Sequence, residues 1–362
     1  MARGFGLTLN DPYYNSDFDI DTVDIDDIEG DWFQKMPEVN FEVGDEPETD
    51  DGGSRSDVVA WASAAKPSGS TSAKVDLQRI TWYLFGFLDH YLHTAGENGL
   101  HIHEFWGGEN HELPTFAGLA MYDALKLAVF GLIVDGFKLE VSDGAMDVNI
   151  DWLYGNETYD ILGENEDFEE PAELIDSRIP VRFYDVHVYL NKDTQGNWLK
   201  PGSTQTSWSM EGNNNHDQDG TLGLGSRFPQ ERPQAGKRNI SLSLATTLSR
   251  RSYKDVMDAR YGKVDAKSPD KCRILKIPMR LVVIQCENPD QQLIIEFPEC
   301  TLKSEFDLKG ADRVEATLNL QTLGNGEVTL ADETTKVNTD MYVKLINKVP
   351  EMGSVEEVDD SP

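Results

Sequence analysis

The sequence predicts a mainly β protein (α+β) in which two antiparallel sheets pack as a sandwich or barrel, flanked by one α-helix. Three observations predict it. Apolar and polar residues alternate over five or more positions in roughly ten segments. Clusters of Gly, Asn and Asp separate those segments, as in antiparallel sandwiches and barrels. The composition, 39% apolar and 9% aromatic over 362 residues, is globular. It excludes a wholly disordered chain, a collagen and a disulfide-rich miniature protein.

The predicted strands follow from the period-two alternation. The alternating segments are residues 146–154, 184–190, 240–248, 273–286, 291–300, 313–323 and 341–349. The segment 113–137 fits a helix or a strand by pattern alone, but its glycines and the β-branched pair Ile133–Val134 favour a strand.

Two helices are predicted. In residues 76–93, Asp76 is placed to cap the N-terminus and apolar residues recur at helical spacing: Leu77, Ile80, Leu84, Phe87, Leu88 and Tyr91. A shorter helix fits residues 252–263 and is expected to end at Gly262. The Gly- and Ser-rich residues 53–75 are predicted to be a linker or a surface excursion around one short helix-compatible piece.

Acidic residues concentrate at both ends of the chain. The net charge is −33, from 65 acidic and 32 basic residues, and residues 17–51 hold fifteen acids and one base. The sequence therefore divides into an acidic N-terminal arm (1–55), a β domain (56–350) with insertions near 155–178 and 211–237, and an acidic C-terminal tail (351–362). In residues 18–29 apolar and acidic residues alternate, which predicts an extended arm that orders against a partner or its own body, with disorder as the alternative.

The charge excludes several classes of function. Binding of DNA or of an anionic membrane by charge needs clustered Lys and Arg, which this chain lacks. The three cysteines are too few for a disulfide framework, so a reduced compartment is expected. No secretory signal opens the chain, and apolar runs such as Leu127–Val134 are far below the ~20 residues of a membrane helix.

Two segments resemble metal sites. Five of the seven histidines fall within 22 residues: His90, His93, His101, His103 and His111. Their spacing is compatible with a zinc site. The alternative is that they pack at a helix end and a strand edge, and we favour this alternative because no Cys lies nearby. The ligand spacing of a calcium-binding loop is found at Asn213, Asn215, Asp217 and Asp219. At the position of the bidentate Glu ligand, however, the chain has Ser226. This departure favours an ordinary solvated loop.

No catalytic pattern is recognisable. The glycines of GTLGLGS precede neither Lys-Ser/Thr nor a helix, as a phosphate-binding loop would require. A nucleophile elbow, an HExxH motif and a plausible Cys–His pair are all missing from the sequence. We therefore predict a protein that is not an enzyme, with no catalytic residue, no cofactor and no bound metal.

Five short motifs follow one another along the chain. They are Leu113, Pro114, Thr115, Phe116; Gly131, Val134, Asp135, Gly136, Leu139; Val186, Val188, Tyr189, Leu190; Ser209, Asn213; and Gly236, Arg238, Ile240, Ser241, Leu242. Their order, over roughly residues 75–350, resembles the major tail tube protein of long-tailed, non-contractile (siphovirus-type) double-stranded DNA viruses. That family has a Leu-Pro-Ser-Phe-like strand, a strand with Val-Asp-Gly/Ser, a Val-x-Val-Tyr-Leu strand, a Ser-rich strand running into an Asn-bearing loop, and a Gly-x-Arg-x-Ile/Val strand.

The resemblance implies a structural virion protein. Six copies would close a ring by joining sheets edge to edge, and rings would stack into a tube through which the double-stranded genome passes without specific binding. Partners would be the chain itself and the tape measure, tail terminator and baseplate or distal tail proteins. The location would be the virion tail, assembled in the host cytoplasm and without a membrane. Asn213, Asn215, Asp217 and Asp219 become candidates for a ring-stacking loop. The acidic arm and the 155–178 insertion depart from the family.

Two other functions remain open. One is a different tail component on a related fold, such as a tube terminator or a distal tail protein. The other is a carbohydrate-binding β-sandwich, for which Trp198 and Trp208 would be the exposed aromatic residues. The acid excess fits a virus of salt-loving archaea, although Lys (18) is not depleted relative to Arg (14), and it equally fits a surface that repels DNA.

Overall fold

The structure is a computed structural model in which most of the chain is described. The described residues are 4–9, 11–14, 18–20, 23, 25, 32–35, 38–44, 47–50, 59–122, 125–161, 179–200, 204–224, 226–247, 250–261, 268, 274–303, 307–309 and 315–352. The strands are β1 (Gly4–Thr8), β2 (Trp32–Lys35), β3 (Glu38–Glu42), β4 (Pro47–Asp50), β5 (Val59–Ala62), β6 (Ser68–Lys74), β7 (His90–Ala95), β8 (His101–Trp106), β9 (Phe116–Met121), β10 (Leu125–Val141), β11 (Asp147–Leu153), β12 (Asn156–Ile161), β13 (Val186–Leu190), β14 (Gln205–Asn213), β15 (Asn239–Thr247), β16 (Ile277–Ile284), β17 (Gln292–Leu302), β18 (Asp307–Lys309), β19 (Glu315–Thr322), β20 (Gly326–Thr329), β21 (Lys336–Thr339) and β22 (Tyr342–Asn347). The helices are α1 (Ile80–Phe87) and α2 (Arg250–Tyr261).

Two antiparallel sheets form the body, as predicted. The first sheet has the strand order β3–β6–β11–β10–β14–β15–β19, and the second has the order β13–β16–β17–β22–β8–β7. The C-terminal end of β17 pairs with β19, where Cys300 faces Thr322. On the other side a bridge joins Ala145 to Arg182, just before β13. These two connections turn the sandwich into a flattened closed barrel.

Strand β10 belongs to two sheets because it bends. Its first half pairs with β9 and β12, in a third sheet ordered β2–β1–β9–β10–β12. Its second half pairs with β11 and β14 in the first sheet. The register shifts at Val129/Leu132, around Gly131, whose φ of 67° lies in the left-handed region that favours glycine. Within the segment 113–137, β9 and the first part of β10 are therefore strand, as its glycines predicted.

The core lies between the two main sheets, where the inward side chains of both sheets meet. Its largest fully buried side chains include Trp152, Phe137, Phe105 and Phe297. Helix α1 is buried along its whole length and packs against β10 and β8. A helix that is apolar on all sides is stable only inside a core.

Helix α1 is much shorter than the sequence predicts. The Asp76 carboxylate does cap the turn before it, accepting the N–H groups of Gln78 and Arg79 at 2.9 Å. The helix ends at Phe87, and residues 90–95 form strand β7 instead. Pairing of β7 with β8 along six residue pairs overrides the local helical spacing. The prediction of a helix over 76–93 was thus wrong after Phe87.

The predicted linker at 53–75 was also wrong, because it contains strands β5 and β6. Strand β6 pairs on both sides, with β3 and β11. A Cβ at Gly69 would lie 2.2 Å from the Phe41 ring, so the small residues of this segment permit close packing. The predicted second helix is confirmed as α2; its expected stop, Gly262, lies outside the described residues.

The acidic arm lies on the body where it is described. Strand β1 pairs with β9, and Phe18, Ile20 and Val23 pack on a buried cluster that includes Ile25, Leu119 and Phe130. Part of the acidic insertion forms β12, and residues 162–178 and 353–362 lie outside the described residues.

Candidate functional site

The predicted ring-stacking residues lie at the end of β14, where Asn213 stands, and in the tightly held loop that follows, which contains Asn215, Asp217 and Asp219. The Asn213 side-chain oxygen accepts the N–H of Asn215 at 2.6 Å, and the Asn215 side chain donates to the Lys237 carbonyl at 2.7 Å. Asp217 accepts the N–H of Asp219 at 3.0 Å, and Asp219 forms an ion pair with Lys66. The side chains of these four residues therefore bind the loop's own backbone and a lysine.

Asp135 and His216 anchor this loop, and sequence reasoning did not assign them that role. The Asp135 carboxylate accepts the N–H of His216 at 3.0 Å and lies 2.9 Å from its Nδ1. Burial would raise the pKa of Asp135, but the hydrogen bonds from His216 outweigh it and lower that pKa. Next to them, the buried Asn214 side chain donates to the carbonyls of Phe87 and Val134. The partners are about 80 residues apart, so spacing along the chain carries no signal of the contact.

The histidines pack against one another and against aromatic rings. His93, His101 and His103 stack on neighbouring strands, with His93 Nε2 2.9 Å from His101 Nδ1. His90 stacks on Trp106. His90 and His93 lie on β7, so their predicted place on a helix was wrong. Within the described ranges, no three His, Cys, Asp or Glu side chains are grouped so that they could hold a metal ion.

The two tryptophans proposed as exposed aromatic residues are not free to stack on a sugar. Trp208 is 2% exposed and belongs to the core, so its predicted exposure was wrong. Trp198 is partly exposed, but Lys192 Nζ lies 4.4 Å and Arg280 Cζ 4.8 Å from its ring centroid. These cation–π contacts already occupy the ring.

The outer face of the first sheet is mostly polar, with Leu153 and Ala245 as apolar exceptions. The outward side chains described on β15 and β19 are uncharged: Asn239, Ser241, Ser243, Ala245, Thr317, Asn319 and Gln321. The outward positions of β3, β6, β11, β10 and β14 add six acids and two lysines: Glu38, Glu42, Asp147, Asp151, Glu140, Glu211, Lys74 and Lys138. This face is stable in contact with water and carries a net negative charge.

The outer face of the second sheet carries a group of apolar side chains beside polar ones such as Gln292 and Lys344. We call its five partly exposed residues the apolar strip: Val282, Ile284, Ile294, Ile346 and Ile102. Register makes them neighbours, because Val282 faces Ile294, and Ile346 faces Ile102. Leu92, 38% exposed, extends the strip onto β7. The hairpin β20–β21 covers another part of this face, where Val328 and Leu330 pack on Tyr342.

Two stretches of the sequence that do not alternate indicate the apolar strip. The stretches LVVI (281–284) and LII (293–295) are continuous apolar runs. Strands that are covered on both faces have such runs, whereas strands with one wet face alternate.

Strand β12 presents a second exposed apolar group. Tyr159 is 64% exposed and Ile161 65%. β12 pairs with β10 on one side only, as far as the described residues extend. An edge strand with unpaired backbone groups and exposed apolar side chains is a template for association.

The molecule therefore combines one mostly polar face, the apolar strip and an edge strand with two exposed apolar side chains, which together suit association with another protein surface. Neither of the two described helices is long and apolar enough to cross a bilayer. No family model and no curated protein matches the chain.

Proposed function

We propose that this protein is the structural subunit of a viral tail tube of the long-tailed, non-contractile type, forming stacked rings around a passage for double-stranded DNA. The observation that supports this most is the contrast between the two outer faces of the sandwich. Monomeric proteins rarely leave contiguous apolar patches exposed, so the apolar strip favours a surface covered in an assembly.

The polar face suits the wall of the passage. DNA must slide through such a conduit without adhering, and a face with six acids and two lysines repels phosphates. Its short Ser, Thr and Asn side chains bind water and offer no aromatic platform on which bases could stack. Carbohydrate binding has no comparable support, because Trp208 is buried and the Trp198 ring is occupied.

Negative-stain electron microscopy of the purified full-length protein tests the proposal, together with light scattering across protein and salt concentrations. We expect stacked rings or tubes. Single rings that do not stack would favour a tube terminator or a distal tail protein instead. A chain that stays monomeric at high concentration in every buffer would contradict both.

A further inference from the structure

We infer that rings stack through a contact in which Leu224 of one copy enters a cleft at the opposite end of the next copy. We call this cleft the end cleft, and its apolar walls are Val141, Phe183, Val186, Val188 and Trp208. The inference rests on the proposed tube and specifies two surfaces that join its rings.

Leu224 is a fully exposed apolar side chain in the loop between β14 and β15. Its relative exposure of 106% is the largest among the exposed large apolar side chains of the described residues. Gly223 precedes it and Gly225 follows it in the sequence, so neither neighbour has a side chain that could shield it. The loop is held in place nearby, where the Thr221 carbonyl accepts the N–H of Gln230 at 2.9 Å. Burial of such a side chain in a partner removes apolar surface from water and so favours association.

The end cleft has the size and polarity that a leucine side chain needs. It lies between the two main sheets, lined by the end of β10 and the starts of β13 and β14, and its volume is about 200 Å³. Val141, Val188 and Trp208 are buried at its inner side, whereas Tyr184 and Lys200 are exposed at its mouth. An apolar cavity of about 150 Å³ already holds a benzene ring. The end cleft is therefore large enough for the side chain of Leu224.

The loop and the end cleft lie at opposite ends of the first sheet. The cleft contains Trp208, near the start of β14, and Val141, the last residue of β10, which face each other in register. The loop leaves β14 after Asn213, at the other end, and stays there because Gln218 donates to the carbonyl of Pro67, just before β6. The nine residues of β14 separate the two ends by roughly 26 Å at about 3.3 Å per residue. Copies stacked along the strand direction therefore bring the loop of one copy to the cleft of the next.

The charges of the two surfaces have opposite signs. Among the described residues that line the end cleft, Lys200 carries the only charge at neutral pH. Residues 214–224 contain Asp217 and Asp219 and no Lys or Arg. Lys66 pairs with Asp219, so Asp217 keeps this part of the loop negative. Charge thus favours the contact between these two surfaces, although whole copies repel one another.

The contact is heterologous, because two different surfaces meet. Such a contact closes into a ring if its rotation closes, and otherwise continues from copy to copy as a filament. Surfaces at opposite ends of one strand direction give the second result. The contact therefore accounts for stacking and leaves the contacts within a ring to other surfaces.

Substitutions at the two surfaces test the contact in the full-length protein by electron microscopy. Leu224→Ser removes the apolar side chain, and Val186→Phe fills the cleft from a half-buried position. Each variant should form single rings and need at least about tenfold more protein to stack, since the burial of one leucine is lost or blocked. Ile274→Ser, at another exposed apolar position, is the matched control and should stack like the wild type.

A crosslink gives a direct readout if a substitution disturbs folding. Tyr184 is exposed at the mouth of the cleft, so Leu224→Cys and Tyr184→Cys should come together between copies. The background is Cys272→Ser/Cys286→Ser, which keeps only the buried Cys300. With diamide as the oxidant, the double-cysteine variant should give a ladder of disulfide-linked multimers on a non-reducing gel, and neither single-cysteine variant should.

The outcomes separate this contact from the proposed function. Stacking of Leu224→Ser at the wild-type concentration would overturn the contact and leave the proposed tube intact, and so would stacked double-cysteine rings that give no ladder. Failure of the wild type itself to form rings or tubes would instead contradict the proposed function.

Discussion

His103 holds the C-terminal segment against β7 and β8 through a chain of hydrogen bonds. The N–H of Met352 donates to the Tyr91 hydroxyl at 3.2 Å, and that hydroxyl lies 2.9 Å from His103 Nδ1. His103 Nε2 lies 3.0 Å from the carbonyl of Val349. A neutral ring with its proton on Nε2 satisfies every one of these groups. Burial lowers the pKa of His103 to about 4.

Acid should therefore destabilise the fold through His103. Its pKa lies below the 6.5 of an unperturbed histidine, so the stabilisation is complete above pH 6.5 and is lost as the pH falls towards 4. The whole effect is about 3 kcal/mol at most. Urea unfolding at a series of pH values measures it. His103→Gln should flatten the dependence in this window, while His187→Gln, at a partly exposed position, should keep the wild-type slope. An unchanged slope in His103→Gln would refute this role.

The buried guanidinium of Arg238 links three segments of the chain through ion pairs with two aspartates. Its guanidinium donates to Asp340 at 3.0 Å and to Asp89 at 3.3 Å. Asp89 also accepts the N–H groups of Gly108 and Asn110. Burial would lower the pKa of Arg238, but the two carboxylates outweigh it and raise that pKa. The start of β15 is thereby tied to the residues before β7 and β22.

Arg238→Met should destabilise the protein by about 3–5 kcal/mol, because it leaves two buried carboxylates without their cation. Denaturant unfolding checks the value. The control is Lys237→Met at the neighbouring exposed position, which should change stability by no more than about 0.5 kcal/mol. Equal effects of the two substitutions would show that the buried charges do not matter.

The outer edge of β13 is closed by its own chain. The Gln205 carboxamide accepts the N–H of Val188 at 3.2 Å and donates to the Val188 carbonyl at 2.9 Å, as a paired strand would. Farther along, the N–H of Leu190 donates to the carbonyl of Leu199. Such an edge cannot accept a strand from another molecule unless these bonds break. β12 has no comparable protection among the described residues.

Gln205→Leu should open the β13 edge. We expect a loss of about 1–3 kcal/mol, since a partly buried N–H and C=O lose their partners, together with irregular aggregation. Urea unfolding and light scattering measure the two effects. Gln195→Leu, in an exposed turn, is the control and should change neither. If Gln205→Leu matches the control, the carboxamide does not protect the edge.

For the whole molecule, charge opposes assembly. A ring of six copies at −33 each would carry −198. At 0.15 M salt the Debye length is about 8 Å, so neighbouring copies repel one another, and at 1 M it falls to about 3 Å. The apolar contacts must therefore outweigh a repulsion that salt weakens.

Assembly should consequently increase with salt, and divalent cations should act at lower concentrations than monovalent ones. Light scattering against NaCl and MgCl₂ measures this. Deleting residues 353–362, which carry four acids and no base, should shift the midpoint to lower salt. Assembly that weakens as salt rises would contradict the argument.

The sequence by itself determined the mainly β class and the positions of the strands in its alternating segments, because alternation is a local property that each segment carries alone. Residues 240–248 and 341–349 needed only their own pattern. It also determined helix α2 and the capping role of Asp76, which depend on neighbours a few residues away.

Only the tertiary structure decided the rest, because those features depend on residues far apart in the chain. His90–Ala95 has helical spacing but gains six paired positions beside β8. The Ser-rich β6 becomes a strand since partners lie on both sides of it. The apolar strip exists only through the register that brings Val282, Ile294 and Ile346 to one face. Register between distant strands is a property of the folded sheet, so the apolar runs at 281–284 and 293–295 indicate strands covered on both faces but do not show which strands lie side by side.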